Sequence, residues 1–549
     1  MRGRDVFLDS LRAHGVARMF GNPGTTESPL LDHLADYPDI EYVTTLHEGV
    51  AVGAASFYAQ ASGKTGIVNL HVAPGLGNGI GMIYNALKAN APLIVTAGQQ
   101  DTRMRLRAPL LGHDLAAIAA PVAKWSVQVE RADEMADIMR RAFKIAHDPP
   151  YGPVFVALPI NVMEQETANA ATTAGVLHKA PHPDPAALAD AAGRLSKARA
   201  PVIVAGDDIA RADAGAALLA LAEALGAPIW VEGLRAQAAA PSDHPLMQGG
   251  LPLEAGQIAR ALGDADCVLL VGGPFFEEVW FDAASPFPAG AAILQIEESA
   301  ERLAANHTLD LGMVAGVGPA LAALALAVSP DQAAAQARAE HLKAAKSEAT
   351  ARQQGRIARA ADRRPMAMSV LMDALAAGLP EDAIVVDEAI TANLDLAKSV
   401  RIAGKGAYFS GRGGGIGQGL AGAVGIAVAA PDRPVVCVSG DGSAMYSIQA
   451  LWSAAHHNQN VTFVILANEE YRVLKHNIDA YRNRFEVESN RGYAHMDLTG
   501  PGLGFVEMAR GMGVPGERVT EPEAFREAVA AATAQPGPSL IEVAVEGKV

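Results

Sequence analysis

A chain of 549 residues is too long for one ordinary core, so two to four domains are expected. Half of it is hydrophobic and only 5% is aromatic, with much Ala and Gly, which suits a tightly packed α/β protein. A formal net charge of −16 and a pI near 5.4 argue against a nucleic-acid partner. No apolar stretch approaches a membrane span and no signal peptide opens the chain, so a cytoplasmic protein with no membrane partner is expected. Cys267 and Cys437 lie in apolar strand-like runs and read as buried thiols, not as a disulfide or metal framework.

Residues 1–166 alternate helix and strand patterns. A helix is expected over 6–14 and a strand over 16–20, which ends in the turn Gly21-Asn22-Pro23-Gly24-Thr25-Thr26-Glu27. A strand over 40–45 precedes Glu48, which opens a small-residue helix over 48–60. A strand over 66–70 ends at His71, and Ala73-Pro74-Gly75-Leu76-Gly77-Asn78-Gly79 after it reads as a turn. Further strands are expected over 93–97 and 154–158. Repeated strand–turn–helix units imply a parallel, doubly wound sheet.

A linker over 167–185 leads to a second α/β block, 186–332, with strands expected over 202–206, 228–231, 267–271 and 292–296. The stretch GGPFFEEVW (272–280) lies at the carboxyl end of one of them. Residues 333–364 read as an exposed helical connector whose charges face solvent. The third block, 365–549, has a strand over 384–386 ending in Asp387-Glu388, and another over 408–410 before the glycine-dense GRGGGIGQGLAGAVG. A strand over 435–438 then breaks at Gly440-Asp441-Gly442. A helical stretch follows, with Tyr446, Ile448, Leu451 and Trp452 spaced for one buried face, and a strand over 461–466 runs out to Asn468. A polar stretch (475–497), a helix (523–534) and a strand (539–545) complete the chain. The first and third blocks look like similar doubly wound units.

In open parallel sheets, ligands bind at the carboxyl ends of strands, where Asp441 and Asn468 fall. The chemistry that fits is a Mg²⁺–diphosphate site. Asp441 supplies charge, Asn468 a neutral oxygen and Glu470 a backbone carbonyl, the hard oxygen ligands that Mg²⁺ takes beside phosphate and water. Gly440 and Gly442 let the backbone approach a phosphate, and Ser443 with the following helix start offers donors. A lone Gly-Asp-Gly is weak evidence. The same tripeptide followed by a helix and an apolar strand ending in Asn is strong.

That layout resembles the diphosphate-binding motif of thiamine diphosphate (ThDP) enzymes. FGNPGTTESPLL (20–31), LHEGVAVGAASFYAQASGKTGIVNLH (46–71), LIVTAGQQ (93–100), VAKWS (122–126) and GDGSAMYSIQALWSAA (440–455) resemble the ThDP-dependent 2-oxo acid decarboxylases. The closest likeness is to the benzoylformate decarboxylases, and a more distant one is to the acetolactate synthases. The resemblance implies three doubly wound domains, pyrimidine-binding, central and diphosphate-binding. It also implies ThDP and Mg²⁺ as cofactors, and a homotetramer with each active site between two subunits.

Residue by residue, Glu48 matches the family glutamate that touches the cofactor's aminopyrimidine; alone it would read as a first-turn residue interacting with the helix dipole. His71 matches the family's proton-transferring histidine, a position where acetolactate synthases generally lack His; alone it would be structural. Thr25 falls where a serine binds the substrate carboxylate, or else is a turn residue. Ile416 matches the apolar residue that enforces the cofactor's bent shape, or is plain core. Thr391 and Tyr471, with Ser443, align near diphosphate contacts.

Two departures stand out. The family's central-domain histidine has no match, since Val279 stands in its place, and His113 in LLGHD is a candidate substitute. In the substrate pocket Leu110, Leu111 and Leu474 keep the apolar lining. Around them stand Arg412, in a glycine loop one residue longer than in the relatives, with Arg472, Lys475, His476 and Asn477. If these face the cavity, the substrate carries a polar or anionic distal group. The expected function is non-oxidative decarboxylation of a 2-oxo acid. The alternatives are a carboligase or lyase, acetolactate-synthase-like or acting on 2-hydroxyacyl compounds, and a non-catalytic ThDP-fold binding or regulatory protein. A nucleotide binder of the Rossmann type ranks low, for no Gly-x-Gly-x-x-Gly with a distal acid follows a first strand.

Overall fold

The computed structural model describes residues 1–277 and 279–547; Glu278 in the FFEEVW stretch and the last two residues of the third block lie outside the described residues. Three six-stranded sheets follow one another along the chain. The first comprises β1 (Arg18–Gly21), β2 (Glu41–Thr44), β3 (Gly66–Leu70), β4 (Leu93–Gln99), β5 (Trp125–Gln128) and β6 (Val154–Pro159), in the order β2-β1-β3-β4-β6-β5. The second comprises β7 (Pro201–Ala205), β8 (Ile229–Val231), β9 (Met247–Gly250), β10 (Cys267–Val271), β11 (Ala292–Glu297) and β12 (Leu311–Val314), in the order β12-β11-β10-β7-β8-β9. The third comprises β13 (Ile384–Glu388), β14 (Tyr408–Ser410), β15 (Val435–Gly440), β16 (Val461–Ala467), β17 (Gly516–Val519) and β18 (Ser539–Ala544). Its order, β14-β13-β15-β16-β18-β17, repeats that of the first sheet strand for strand. Central strands such as β3, β4 and β16 are buried along their whole length, as near-continuous apolar runs in a parallel sheet covered on both faces must be.

The chain divides into two compact units. One contains Met1–Val176, Ala360–Leu396 and Ser410–Val549, and the other Leu177–Arg359 and Ala397–Phe409. Inside the first unit, the Glu48–Ser62 helix lies against the Gln418–Ala429 helix. Small residues permit the close approach: Gly53 faces Ala421, Gly422 faces the Phe57 ring and Gly425 faces the Ala54 carbonyl. This packing places the carboxyl-end loops of the first sheet and the glycine loop 411–417 within one unit.

In the second unit the strands read 3-2-1-4-5-6 from β9 to β12, the order of dinucleotide-binding folds. The chain's own groups occupy the switch point between β7 and β10. Gly206 N–H donates to Val271 O at 2.9 Å and Asp208 N–H to Gly272 O at 3.2 Å. Buried Asp208 and Glu297 converge on Arg302 Nη2 at 2.5 and 3.3 Å. The expected connector is a helix, Gln332–Ala360, but two of its cations do more than face solvent. Lys346 Nζ donates to the carbonyls of Ser242, His244 and Met247 at 2.6, 2.8 and 2.9 Å. Arg338 donates to the carbonyls of Leu225 and Arg199.

Two expectations need correction. Residues 73–79 are not a turn, because a helix starts at Val72 and runs to Lys88. Pro74 sits in the first turn, where its missing N–H has no intrahelical partner to lose, and Gly75 and Gly79 let the helix pack closely on Glu48, His71, Leu70 and Val52. Tyr446 does not share a buried face with Leu451: it stands between the short helices Asp441–Ala444 and Ala450–His456 and is 59% exposed. Among the described residues, no helix is long and apolar enough to cross a membrane.

Candidate active site

Thr26, Gly98 and His71, at the first sheet's carboxyl ends, meet around Glu27. Glu27, in the 3₁₀ turn after β1, is buried with its side chain only 1% exposed. A carboxylate so placed needs donors. It accepts from Gly98 N–H at 2.8 Å, from Thr26 Oγ1 at 2.9 Å and from His71 Nδ1 at 3.1 Å. A carboxylate oxygen accepts, so the contact uses an N–H at His71 Nδ1 and leaves the ring's other nitrogen, Nε2, outside it. Gly24 is required here, since a Cβ on it would clash with the His71 ring and the Glu27 carboxylate. Directly after His71, Val72 has φ +39°, a conformation that a β-branched residue adopts only under strain, at a cost of about 1–3 kcal/mol. The strain lies at the bend from β3 into the helix, which aims His71.

Glu48 is buried at the first turn of its helix, whose start is capped by His47 Nδ1 accepting Gly49 N–H at 3.0 Å. Asn78 Nδ2 donates to Glu48 Oε2 at 3.0 Å. A Cβ at Gly75 would lie 2.8 Å from Glu48 Oε1 and 3.3 Å from His71 Cβ, so Glu48 and His71 share one surface of the Val72–Lys88 helix. Tyr42, half-buried near both Glu27 and Glu48, has its phenol pKa pushed well up, first by desolvation and then by the two carboxylates.

The second constellation lies at the ends of β15 and β16. Asp441 is buried; its Oδ1 accepts Gly442 N–H and its Oδ2 accepts Glu469 N–H, both at 2.7 Å. Burial pushes its carboxyl up to about 6, against the pull of those N–H donors. Asn468 Oδ1 accepts Glu470 N–H at 3.1 Å. Between them Glu469, exposed and with φ +58°, takes a left-handed conformation that turns the loop. The 496–498 segment ties the same loop down, with Tyr471 N–H on Met496 O and Leu498 N–H on Glu469 O, both at 2.7 Å. The Tyr471 ring covers Gly442, and Ser443 is buried in the following turn.

Comparison with known proteins decides the family. Thiamine pyrophosphate enzyme models match in three places: the N-terminal TPP binding domain at residues 1–118, the central domain at 188–324 and the C-terminal TPP binding domain at 391–543. The chain is 36% identical over 542 residues to a benzoylformate decarboxylase of Pseudomonas aeruginosa, covering 97% of each chain. It is 27% identical to the acetolactate synthase isozyme 2 large subunit of Escherichia coli, covering 100% of this chain and 96% of that one. A solved 4-hydroxybenzoylformate decarboxylase from Rhodococcus jostii RHA1, thiamine diphosphate-dependent, superposes with a TM-score of 0.87 at 30% identity, covering 100% of both chains.

The chain belongs to the thiamine pyrophosphate enzymes. The three sheets are the three-domain α/β fold of that family. The donors present suit its cofactor. Asp441 and Asn468 offer hard oxygens of the kind that Mg²⁺ takes beside phosphate and water, and among the described residues no trio of His, Cys, Asp and Glu could hold a metal ion. Gly75 lets the helix backbone pass close beside the buried Glu48 carboxylate, where a Cβ would crowd its Oε1.

The remaining expected residues are more scattered. Thr25 is exposed beside Glu27, and Thr391 follows β13 half-buried. Ile416 is half-buried in the glycine loop, and Arg412 in that loop is buried. Leu110 is 96% exposed, Leu111 half-buried and Leu474 exposed, with Asn477 half-buried on the Arg472–Arg484 helix. His113 is exposed; its Nδ1 accepts Asp114 N–H at 2.9 Å, and no hydrogen bond among the described residues joins it to His71. Val279 is 61% exposed. Lys475 does not offer a free charge: it is buried against Glu470 and pairs with Asp497 at 2.8 Å. Arg472 Nη1 donates to Glu546 O at 3.1 Å.

Sequence reasoning missed Glu27, Asn78 and Glu388. Glu27 stood in a quoted motif without a role, and Asn78 was assigned to a turn. Glu388 is fully buried with its carboxyl pushed up to about 7 by burial, and it caps the Gln418–Ala429 helix at Gln418 N–H (2.7 Å) and Gly419 N–H (2.9 Å). The acid at the end of a strand, thirty residues before a glycine-dense helix start, was the available signal.

The Glu469 backbone yields a prediction. Because its side chain is exposed, the left-handed φ is the main cost, so Glu469→Gly should be neutral or stabilising by up to about 1 kcal/mol, and Glu469→Val should cost about 1–3 kcal/mol, by chemical denaturation.

Proposed function

We propose that this protein is a ThDP- and Mg²⁺-dependent enzyme that decarboxylates a 2-oxo acid without oxidation. The observation that carries the reading is the buried Glu27–His71 pair on the same helix surface as Glu48. Blocks 1–166, 186–332 and 365–549 serve as pyrimidine-binding, central and diphosphate-binding domains. The assembly is a cytoplasmic homotetramer with active sites between subunits.

When bound, the cofactor supplies a carbanion nucleophile for the substrate ketone and an acceptor for the electron pair released as CO₂ departs. The chain's residues do the rest. Glu48, oriented by Asn78, accepts a hydrogen bond from the aminopyrimidine and favours the tautomer that can take a proton. His71, held by Glu27 at Nδ1, gives or takes a proton through Nε2 at the substrate-derived carbon or oxygen. Thr25 donates its hydroxyl to the substrate carboxylate. Asp441, Asn468 and the Glu470 carbonyl hold Mg²⁺, with Gly440, Gly442, Ser443, Thr391 and Tyr471 around the diphosphate. Ile416 supports the bent cofactor. Leu110, Leu111, Leu474, Arg412 and Asn477 line the substrate pocket. His113 is the candidate for the second proton-transfer group.

Val279 favours a second reading. With no titratable atom at that position, a carbonyl acceptor can compete with the proton, and the same enzyme then joins two carbons as a carboligase. A panel of 2-oxo acids with ThDP and Mg²⁺, followed for CO₂ and, with an acceptor aldehyde present, for 2-hydroxy ketones, separates the two. Decarboxylation predicts aldehyde as the main product in the absence of acceptor. No CO₂ from any 2-oxo acid contradicts both readings.

The Asp441 carboxyl sets a pH limit. A burial-raised pKa of about 6 means that the proton competes with Mg²⁺ below that value. Apparent Mg²⁺ affinity, titrated in the presence of ThDP, should therefore hold above pH 6 and weaken by about tenfold per unit below it. An affinity flat from pH 7 to pH 5 would remove Asp441 from the metal site.

A further inference from the structure

The glycine loop 411–417 is fastened from outside by a side chain with no assigned role. Gly413, Gly414 and Gly417 have φ of +85°, +78° and +92°, a left-handed backbone course that glycine follows without a Cβ penalty. Asn85, buried on the helix that begins after His71, reaches it with both ends of its amide. Its Oδ1 accepts Gly415 N–H at 3.3 Å and its Nδ2 donates to Gly415 O at 3.3 Å. A Cβ at Gly413 or Gly415 would lie 2.6 Å from that amide, so both glycines are needed for the approach. Gln418 closes the other side, its Nε2 donating to Gly415 O at 2.6 Å and Arg412 O at 2.9 Å. The clasped residue, Gly415, is the one immediately before Ile416.

We propose that Asn85 is a positioning residue that sets the height of Ile416 and thereby the bend of the bound cofactor. The inference rests on the ThDP reading above. Removal of the C2 proton by the cofactor's own pyrimidine nitrogen requires a bent shape, so the position of Ile416 controls how fast that proton leaves. Asn85 ties that position to the helix that begins directly after His71. An aliphatic residue could fill the same buried volume, but only a side-chain amide satisfies both the N–H and the C=O of one loop residue.

The test uses the full-length protein loaded with ThDP and Mg²⁺, with Asn85→Ala and the near-isosteric Asn85→Asp. The Asp variant still accepts Gly415 N–H but sets an oxygen against Gly415 O. The readouts are ThDP affinity by calorimetry and hydrogen–deuterium exchange at C2 of the bound cofactor, by acid quench and NMR. Both variants are expected to bind ThDP near the wild-type affinity, while C2 exchange slows by about 100-fold and kcat falls with it at unchanged KM. A folded, loaded variant of either kind that exchanges C2 at the wild-type rate overturns the role of Asn85. If the wild-type protein binds no ThDP, the cofactor reading itself falls, and this inference with it.

Discussion

The surroundings of His71 depend on burying one carboxylate where water barely reaches it. Glu27 is held by a backbone N–H, a neighbouring hydroxyl and the His71 ring. Burying such a charge without these donors would cost several kcal/mol. The same bonds leave His71 one free nitrogen and a fixed ring plane. Gly24 is small because the ring passes over it, and Val72 is strained because the chain must bend at once from strand into helix.

That helix links the two chemical neighbourhoods of the unit. Along its length come His71 at the cap, Gly75 and Asn78 beside Glu48, and Asn85 under the glycine loop. One surface thus carries contacts to the proposed proton-transfer group, to the carboxylate proposed to meet the pyrimidine and to the loop proposed to set the cofactor's bend. The loop proposed to hold the metal and diphosphate is braced separately, by Asp441 across its base and by residues 496–498 along its edge.

Much of this was legible before any coordinates. Parallel-sheet cores are long apolar runs, so the central strands stood out. The strands that escaped notice, β5, β9, β12 and β17, all lie at sheet edges, where short and partly exposed segments lose that pattern. Asp441, Asn468 and Glu48 were readable because a strand end or helix start gives a polar residue a reason to be there. Asn78 and Asn85 were not, because glycines that serve a close approach look like glycines that break a helix. The polar stretch beyond Tyr471 misled in another way. Lys475 reads as a free cation until Glu470 and Asp497 are seen beside it, a pairing that no spacing rule announces. With that charge neutralised inside the protein, the argument for an anionic substrate rests on fewer residues than the sequence suggested.

The central claim is that this chain divides cofactor holding from cofactor activation, with Asp441 and Asn468 on one side and Glu48 on the other. Glu48→Ala tests it most directly when ThDP binding and turnover are measured on the same preparation. The account predicts binding close to wild type with CO₂ release reduced by about 100- to 10,000-fold. A Glu48→Ala protein that decarboxylates a 2-oxo acid at the wild-type rate would contradict it.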